Sequence, residues 1–225
     1  AATLMVASLS SISVSAVASI NPQQSATILK TLNDASIKDF RTFLGNLGKS
    51  DMAKSANLGP AITAFLDNKP LTAEQQNDIH RLLGLYARVK YGAAATETLR
   101  ELVAIPTFQV EGVAQHDNPE FKKIAEKIKA LAQSFNLNFR NVDDRVYEIS
   151  LEGAGDEVVG IHAHADVVPV TPENWVLKDG TRLDPFKVTL IGDRMYGRGT
   201  EDDKNGIVML QNTAARNRSS SLPPI

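Results

Sequence analysis

Cysteine is absent from the 225 residues, so disulfides, thiolate nucleophiles and Cys-type zinc sites are excluded. Any metal site here must be built from His, Asp and Glu. Aromatic residues are sparse at 6%, with a single tryptophan. An excess of one charge is also missing. Lys plus Arg total 24 against 26 Asp plus Glu, a net charge of -2, which offers no basic field to nucleic acid or an anionic membrane. Beyond the first residues, no stretch is long and apolar enough to span a bilayer. What is present is ordinary: 43% hydrophobic and 22% charged residues, enough for one globular domain with an appendage.

The first residues, AATLMVASLSSISVSAVAS, are apolar or small, and no charge occurs before Lys30. Ala16-Val17-Ala18 has the small-x-small form of a signal-peptidase site. The run is short and Ser-rich, which fits a secretory segment better than a spanning helix. Residues 1–18 are therefore expected to be the remnant of a signal peptide without its basic start, and the protein periplasmic or secreted. The plainer alternative is a small-residue leader with no role.

Residues 19–90 read as a helical appendage. Ile37, Phe40, Phe43 and Leu44 recur at helical spacing, as do Leu58, Ile62 and Phe65, then Ile79, Leu82, Leu83 and Tyr86. Thr72 with Gln75 three residues on has the form of a capping box. A separate helix is predicted over 93–103, ending before Ile105-Pro106 because a residue preceding proline avoids helical geometry. Asn118-Pro119 then opens a helix with a cap and a proline at its first position. Its buried stripe is Phe121, Ile124, Ile128, Leu131 and Phe135. Beyond it the period changes. Residues 146–151 alternate as a strand does, 158–170 form a nearly continuous apolar run that suits a strand buried on both faces, and 186–191 with 195–196 read as two strands around Gly192-Asp193. This order predicts an α/β fold, a mixed sheet covered by helices.

His162, His164 and Asp166 interrupt the apolar run at every second position, so on a strand they share one face. Polar groups on such a face cost several kcal/mol unless satisfied. In one reading His164 binds a metal while Asp166 orients it. In another, His162 and His164 bind one metal together, as in barrel-type amidohydrolases. In the plainest, both are core histidines bonded to backbone. A second segment, Met195-Tyr196-Gly197-Arg198-Gly199-Thr200-Glu201-Asp202-Asp203-Lys204, follows a strand and leads into a helix. Acids there gain from the helix dipole, yet a cap needs one and here three are consecutive. Such crowding calls for cations. Arg198 and Lys204 are candidates, and so are metal ions.

His164-Ala165-Asp166-Val167-Val168-Pro169, Trp175, Asp184-Pro185-Phe186 and Gly197-Arg198-Gly199-Thr200-Glu201-Asp202-Asp203-Lys204, in that order, resemble the M20 metallopeptidases, nearest the dipeptidases similar to carnosinase and dipeptidase V. The resemblance covers about residues 91–210, an N-terminal portion of the catalytic domain, and includes Ala104-Ile105-Pro106-Thr107. It implies that His164 binds one zinc ion, that Asp202 bridges two, and that Asp166 is the catalytic acid orienting the His164 site. Manganese or cobalt would be substitutes for zinc. It leaves His162 outside the ligand set and makes Asp203 structural. The family's glycine after Lys204 is replaced by Asn205, with Gly206 following. Asn tolerates unusual backbone angles well, so little is put in doubt.

The implied activity is hydrolysis of dipeptides or short peptides, in which metal ions acidify a shared water and a Glu takes its proton. The family draws that Glu, a further Glu and Asp ligand and a distal His from later sequence. It also implies a homodimer through a lid domain that this chain lacks. After Leu210 the chain reads QNTAARNRSSSLPPI, whose Asn, Ser and Pro residues are not expected to sustain a helix. Residues 211–225 are expected to reflect truncation or a frame shift, a natural alternative end being the other reading. Alternatives to a peptidase are an N-acyl amino acid deacylase of the same family and a non-catalytic remnant.

Overall fold

The computed structural model describes residues 22–32, 39–152, 156, 158–192 and 194–217. The signal-peptide expectation for 1–18, the Ile37 position, Asp193 of the expected turn and the last eight residues of the tail lie outside them. The chain divides into two compact units, residues 1–92 and 93–225. Among the described residues, no helix is long and apolar enough to cross a membrane.

The first unit holds α1 (Pro22–Leu32), α2 (Phe40–Gly48), α3 (Asp51–Ser55), α4 (Gly59–Leu66) and the start of α5 (Ala73–Val103). Local signals set the helix starts. Asp39 accepts from the Thr42 amide at 2.7 Å and Ser50 from the Ala53 amide at 3.2 Å, each satisfying an amide the helix leaves unpaired. The Thr72 box is fully made. Its hydroxyl accepts from the Gln75 amide at 3.3 Å, and Gln75 accepts from the Thr72 amide at 3.0 Å. The helical stripes supply the core: Phe40, Phe43, Leu44, Leu58, Ile62, Ile79, Leu82 and Tyr86 are buried.

The helix expected over 93–103 is not separate. It is the end of α5, which runs unbroken for 31 residues. Gly92 costs only about 1 kcal/mol in a helix, and the alanines that follow it propagate the turn. In the second unit, α6 (Pro119–Ser134) starts as predicted, with Asn118 accepting from the Glu120 amide at 3.0 Å. α6 buries Phe121, Ile124, Ala125, Ile128 and Ala132. Against it lies an antiparallel hairpin of β1 (Asn138–Val142) and β2 (Val146–Ser150), Phe139 pairing with Ile149. The β1 strand was not anticipated. A second antiparallel pair, β3 (Thr189–Ile191) and β4 (Arg194–Tyr196), turns at Gly192, whose φ is +62°. Leu99, Leu102 and Val103 of α5 join Ile124, Ile128, Val188, Ile207 and Val208 in one core.

Helices with small sheets agree with the α/β class, but two expectations fail. The mixed sheet is not formed among the described residues, which hold two separate two-stranded sheets. The run at 158–170 is no strand: Val158, Val159 and Ile161 are 90%, 80% and 69% exposed. An apolar run becomes a buried strand only where neighbours offer a hydrogen-bond ladder, and the strands described here pair only with each other. The helix α7 (Lys204–Asn217) also runs past Leu210. Its Gln, Ala and Arg residues are good helix formers, and an interior Asn costs less than about 1 kcal/mol.

Candidate metal centre

Two segments meet here. The extended stretch around His164 is held by Val167, buried, whose amide donates to the Thr107 carbonyl at 2.9 Å. The turn from Gly197 to Asp203 lies between β4 and α7. Across 38 residues of sequence, His164 Nε2 lies 2.8 Å from Asp202 Oδ1. On the other side of the ring, His164 Nδ1 lies 3.1 Å from the Asp166 carbonyl oxygen and 3.3 Å from its carboxylate. The three residues singled out in the sequence are thus together, with the imidazole between two carboxylates. His162 is exposed and takes no part in this contact.

Partial burial works to lower the His164 pKa. The Asp202 hydrogen bond, the Asp166 carbonyl and the charges of both carboxylates outweigh it and hold the ring above its ordinary value.

Asp203 points elsewhere. Its Oδ2 accepts from the His164 amide at 3.2 Å, and a Cβ added to Gly206 would fall 2.4 Å from its Oδ1. Its contact is thus with backbone on the His164 segment. The peptide between Asp202 and Asp203 is cis. Asn205 sits inside α7, so the departure from the family's glycine needs no unusual backbone there.

The idea that Arg198 and Lys204 neutralise the acids does not describe the structure. Arg198 stacks on the Trp175 ring at 5.4 Å. Lys204 is fully buried and donates to the carbonyls of Leu102 at 2.9 Å and Ile105 at 2.6 Å. Burial pushes its ammonium down to about 8. Glu201 and Asp202 are exposed, so water screens their repulsion.

Sequence reasoning missed what Lys204 and Thr107 do. Thr107 is fully buried and donates from Oγ1 to the Ala165 carbonyl at 2.5 Å. Only the motif order pointed to either residue. Gly199, at φ +88°, has a place no side chain could take: a Cβ there would lie 2.9 Å from Val167 Cγ1 and 3.1 Å from Lys204 Cδ.

The donor chemistry fits a divalent ion in part. A metal-binding imidazole commonly has its second nitrogen held by a carboxylate or carbonyl, as His164 has. His164 Nε2 and Asp202 would be two of the about four donors that a zinc ion takes. Among the described residues, no group of three His, Asp or Glu side chains converges on one point.

Residues 160–224 match the model of Peptidase family M20/M25/M40, so the match extends through most of the tail that composition had set apart. The chain is 34% identical over 115 residues to the Beta-Ala-Xaa dipeptidase of Lactobacillus delbrueckii subsp. lactis, covering 49% of this chain and 23% of that protein. It is 31% identical over 111 residues to a provisionally named dipeptidase of Staphylococcus saprophyticus, covering 48% of this chain and 22% of that protein. The matched stretch spans less than a quarter of either relative. Over residues 160–224, the chain is similar to the peptidases of family M20/M25/M40.

Proposed function

We propose that this chain carries part of a two-zinc site for hydrolysing dipeptides or other short peptides. The observation that carries the reading is the 2.8 Å approach of His164 Nε2 to Asp202 Oδ1, with Asp166 behind the ring. The similarity to dipeptidases favours peptides over N-acyl amino acids as substrate class. When bound, divalent ions at such a centre supply a polarised scissile carbonyl and a water acidified towards neutral pH.

The chain's own residues have distinct tasks in this reading. His164 holds an ion through Nε2. Asp166 fixes the tautomer by occupying Nδ1. Asp202 would offer its carboxylate beside His164 as a further oxygen donor. Asp203 keeps the His164 backbone in place. The described residues bring no third ligand to the pair, so the part of the site they hold is expected to turn over no dipeptide by itself. The reading includes export, supported by the charge-free Ala1–Leu29 stretch and its small-x-small site.

Cobalt(II) titration followed by absorbance, with metal analysis of the dialysed protein, tests the site. The parent chain is expected to bind, and His164→Ala and Asp202→Ala each to lose about 10-fold or more in affinity. Unchanged metal content in both variants would sink the assignment.

A further inference from the structure

The polar contacts around the His164–Asp202 pair converge on one short piece of backbone. From the Asp202 side, Lys204 Nζ reaches the carbonyls of Leu102 and Ile105, 102 and 99 residues away in sequence. From the His164 side, Thr107 Oγ1 donates to the Ala165 carbonyl, and the Thr107 carbonyl accepts from the Val167 amide. Both segments are therefore tied to residues 102–107, the end of α5 and the turn after it. They also touch each other through the His164 amide and Asp203, and through Gly199 between Val167 and Lys204.

We propose that residues 102–107 act as a jig that sets the separation of His164 and Asp202, with Lys204 and Thr107 as positioning residues. Both side chains are fully buried. Burying an ammonium is costly, and a Met or Leu would fill the same volume without that cost. What an apolar side chain cannot supply is direction. Leu102 lies in the last turn of α5, where carbonyls lack partners further along the helix and attract a cation, and Ile105 follows in the turn after it, so the two carbonyls give Lys204 one preferred seat. Thr107 fixes the other segment through two bonds of opposite sense, its hydroxyl donating and its carbonyl accepting. A pair so tied has little freedom to slide. Two ligands from segments distant in sequence thus reach one place at one spacing, the condition for binding an ion without first ordering the chain.

The purpose of the jig rests on the proposed metal reading; its geometry does not. The test therefore has two arms in the full chain. In the first, cobalt(II) affinity is measured for Lys204→Met, Lys204→Arg, Thr107→Val and, as a core control, Ile128→Val. Lys204→Met is expected to weaken binding by about 10- to 100-fold, as loss of a supporting partner does. Lys204→Arg, which keeps a cation at the carbonyls, is expected to recover part of it. Thr107→Val, nearly isosteric, is expected to lose about 10-fold, and Ile128→Val almost nothing.

The second arm needs no metal. Hydrogen exchange at the His164 amide, which donates to Asp203, is compared with exchange in α6. Lys204→Met and Thr107→Val are expected to speed His164 exchange by about 10-fold relative to α6, whereas Ile128→Val speeds both together. The milder Thr107→Val decides the matter if Lys204→Met does not fold. Unchanged relative exchange in the folded tether variants overturns the proposal. So does selective exchange with binding unaltered, because the tethers would then not set the ligand spacing. If the parent chain binds no cobalt, the metal reading fails, and the exchange arm alone decides whether the jig exists.

Discussion

The first unit and the site region of the second are held together by different forces. In the first, Phe40 meets Phe43, Phe65 and Tyr86 with ring centroids 5.6 to 6.0 Å apart, and Phe43 also stacks on Tyr86 at 5.9 Å. Dispersion and apolar burial do this work, and neither depends strongly on direction. Around His164 and Asp202 the cohesion is polar: a buried ammonium on two carbonyls, a buried hydroxyl on a third and a carboxylate on an amide. Apolar packing tolerates small sliding, whereas a hydrogen bond weakens steeply when its angle is lost. A helical appendage needs only to be stable. A pair of proposed ligands must also be placed.

The largest effect should come from breaking the apolar side. Phe43 is 1% exposed, and Phe43→Ala is expected to cost about 3–5 kcal/mol in urea unfolding. Cobalt affinity of the fraction still folded should stay near the parent's. A loss of affinity as large as that of His164→Ala would break the contrast. Next comes Gly199→Ala. It combines a φ of +88° with a Cβ driven against Val167 and Lys204, at a cost of about 2–3 kcal/mol. Unlike Phe43→Ala, it pushes apart the two segments that carry His164 and Asp202, so stability and cobalt affinity should fall together. Wild-type affinity at reduced stability would show that the spacing of the segments does not matter.

Much of this contrast could be read from the residues, and the parts that could not have physical causes. The helix starts were local: Asn118-Pro119 and the Thr72–Gln75 box each act within three residues. The approach of His164 and Asp202 came from the order of several motifs, since no local rule joins positions 38 apart. β1 escaped notice because Asn138-Phe139-Arg140-Asn141-Val142 has two apolar residues three apart, which is no strand alternation. The apolar run at 158–170 misled for the opposite reason. Its composition suits a strand, but pairing is a property of neighbours. α5 ran through Gly92 and α7 past Leu210 because single unfavourable residues cost less than neighbouring turns gain. Lys204 reads as a cation for the three acids before it, and nothing nearby in sequence says that its partners lie about a hundred residues upstream.

The smallest effect sharpens the polar side and depends on pH. Burial holds the Lys204 ammonium near 8, against about 10.4 for a lysine in the unfolded chain. Below about pH 8 both states carry the proton, so this group gives stability no slope with pH. Between about pH 8 and 10 the folded state has released its proton while the unfolded state keeps it. The unfolded state then binds more protons, and stability rises with pH. Lys204→Met removes that contribution and leaves the other groups in place. The stability of the parent minus that of Lys204→Met should therefore be flat from pH 6 to 7.5 and grow by about 1 kcal/mol by pH 9. Urea unfolding of both proteins across that range measures it. A difference that shrinks as pH rises would mean that the two carbonyls hold the ammonium more strongly than burial expels it. The tether would then be charged at every working pH, and the polar side of the comparison stronger than drawn here.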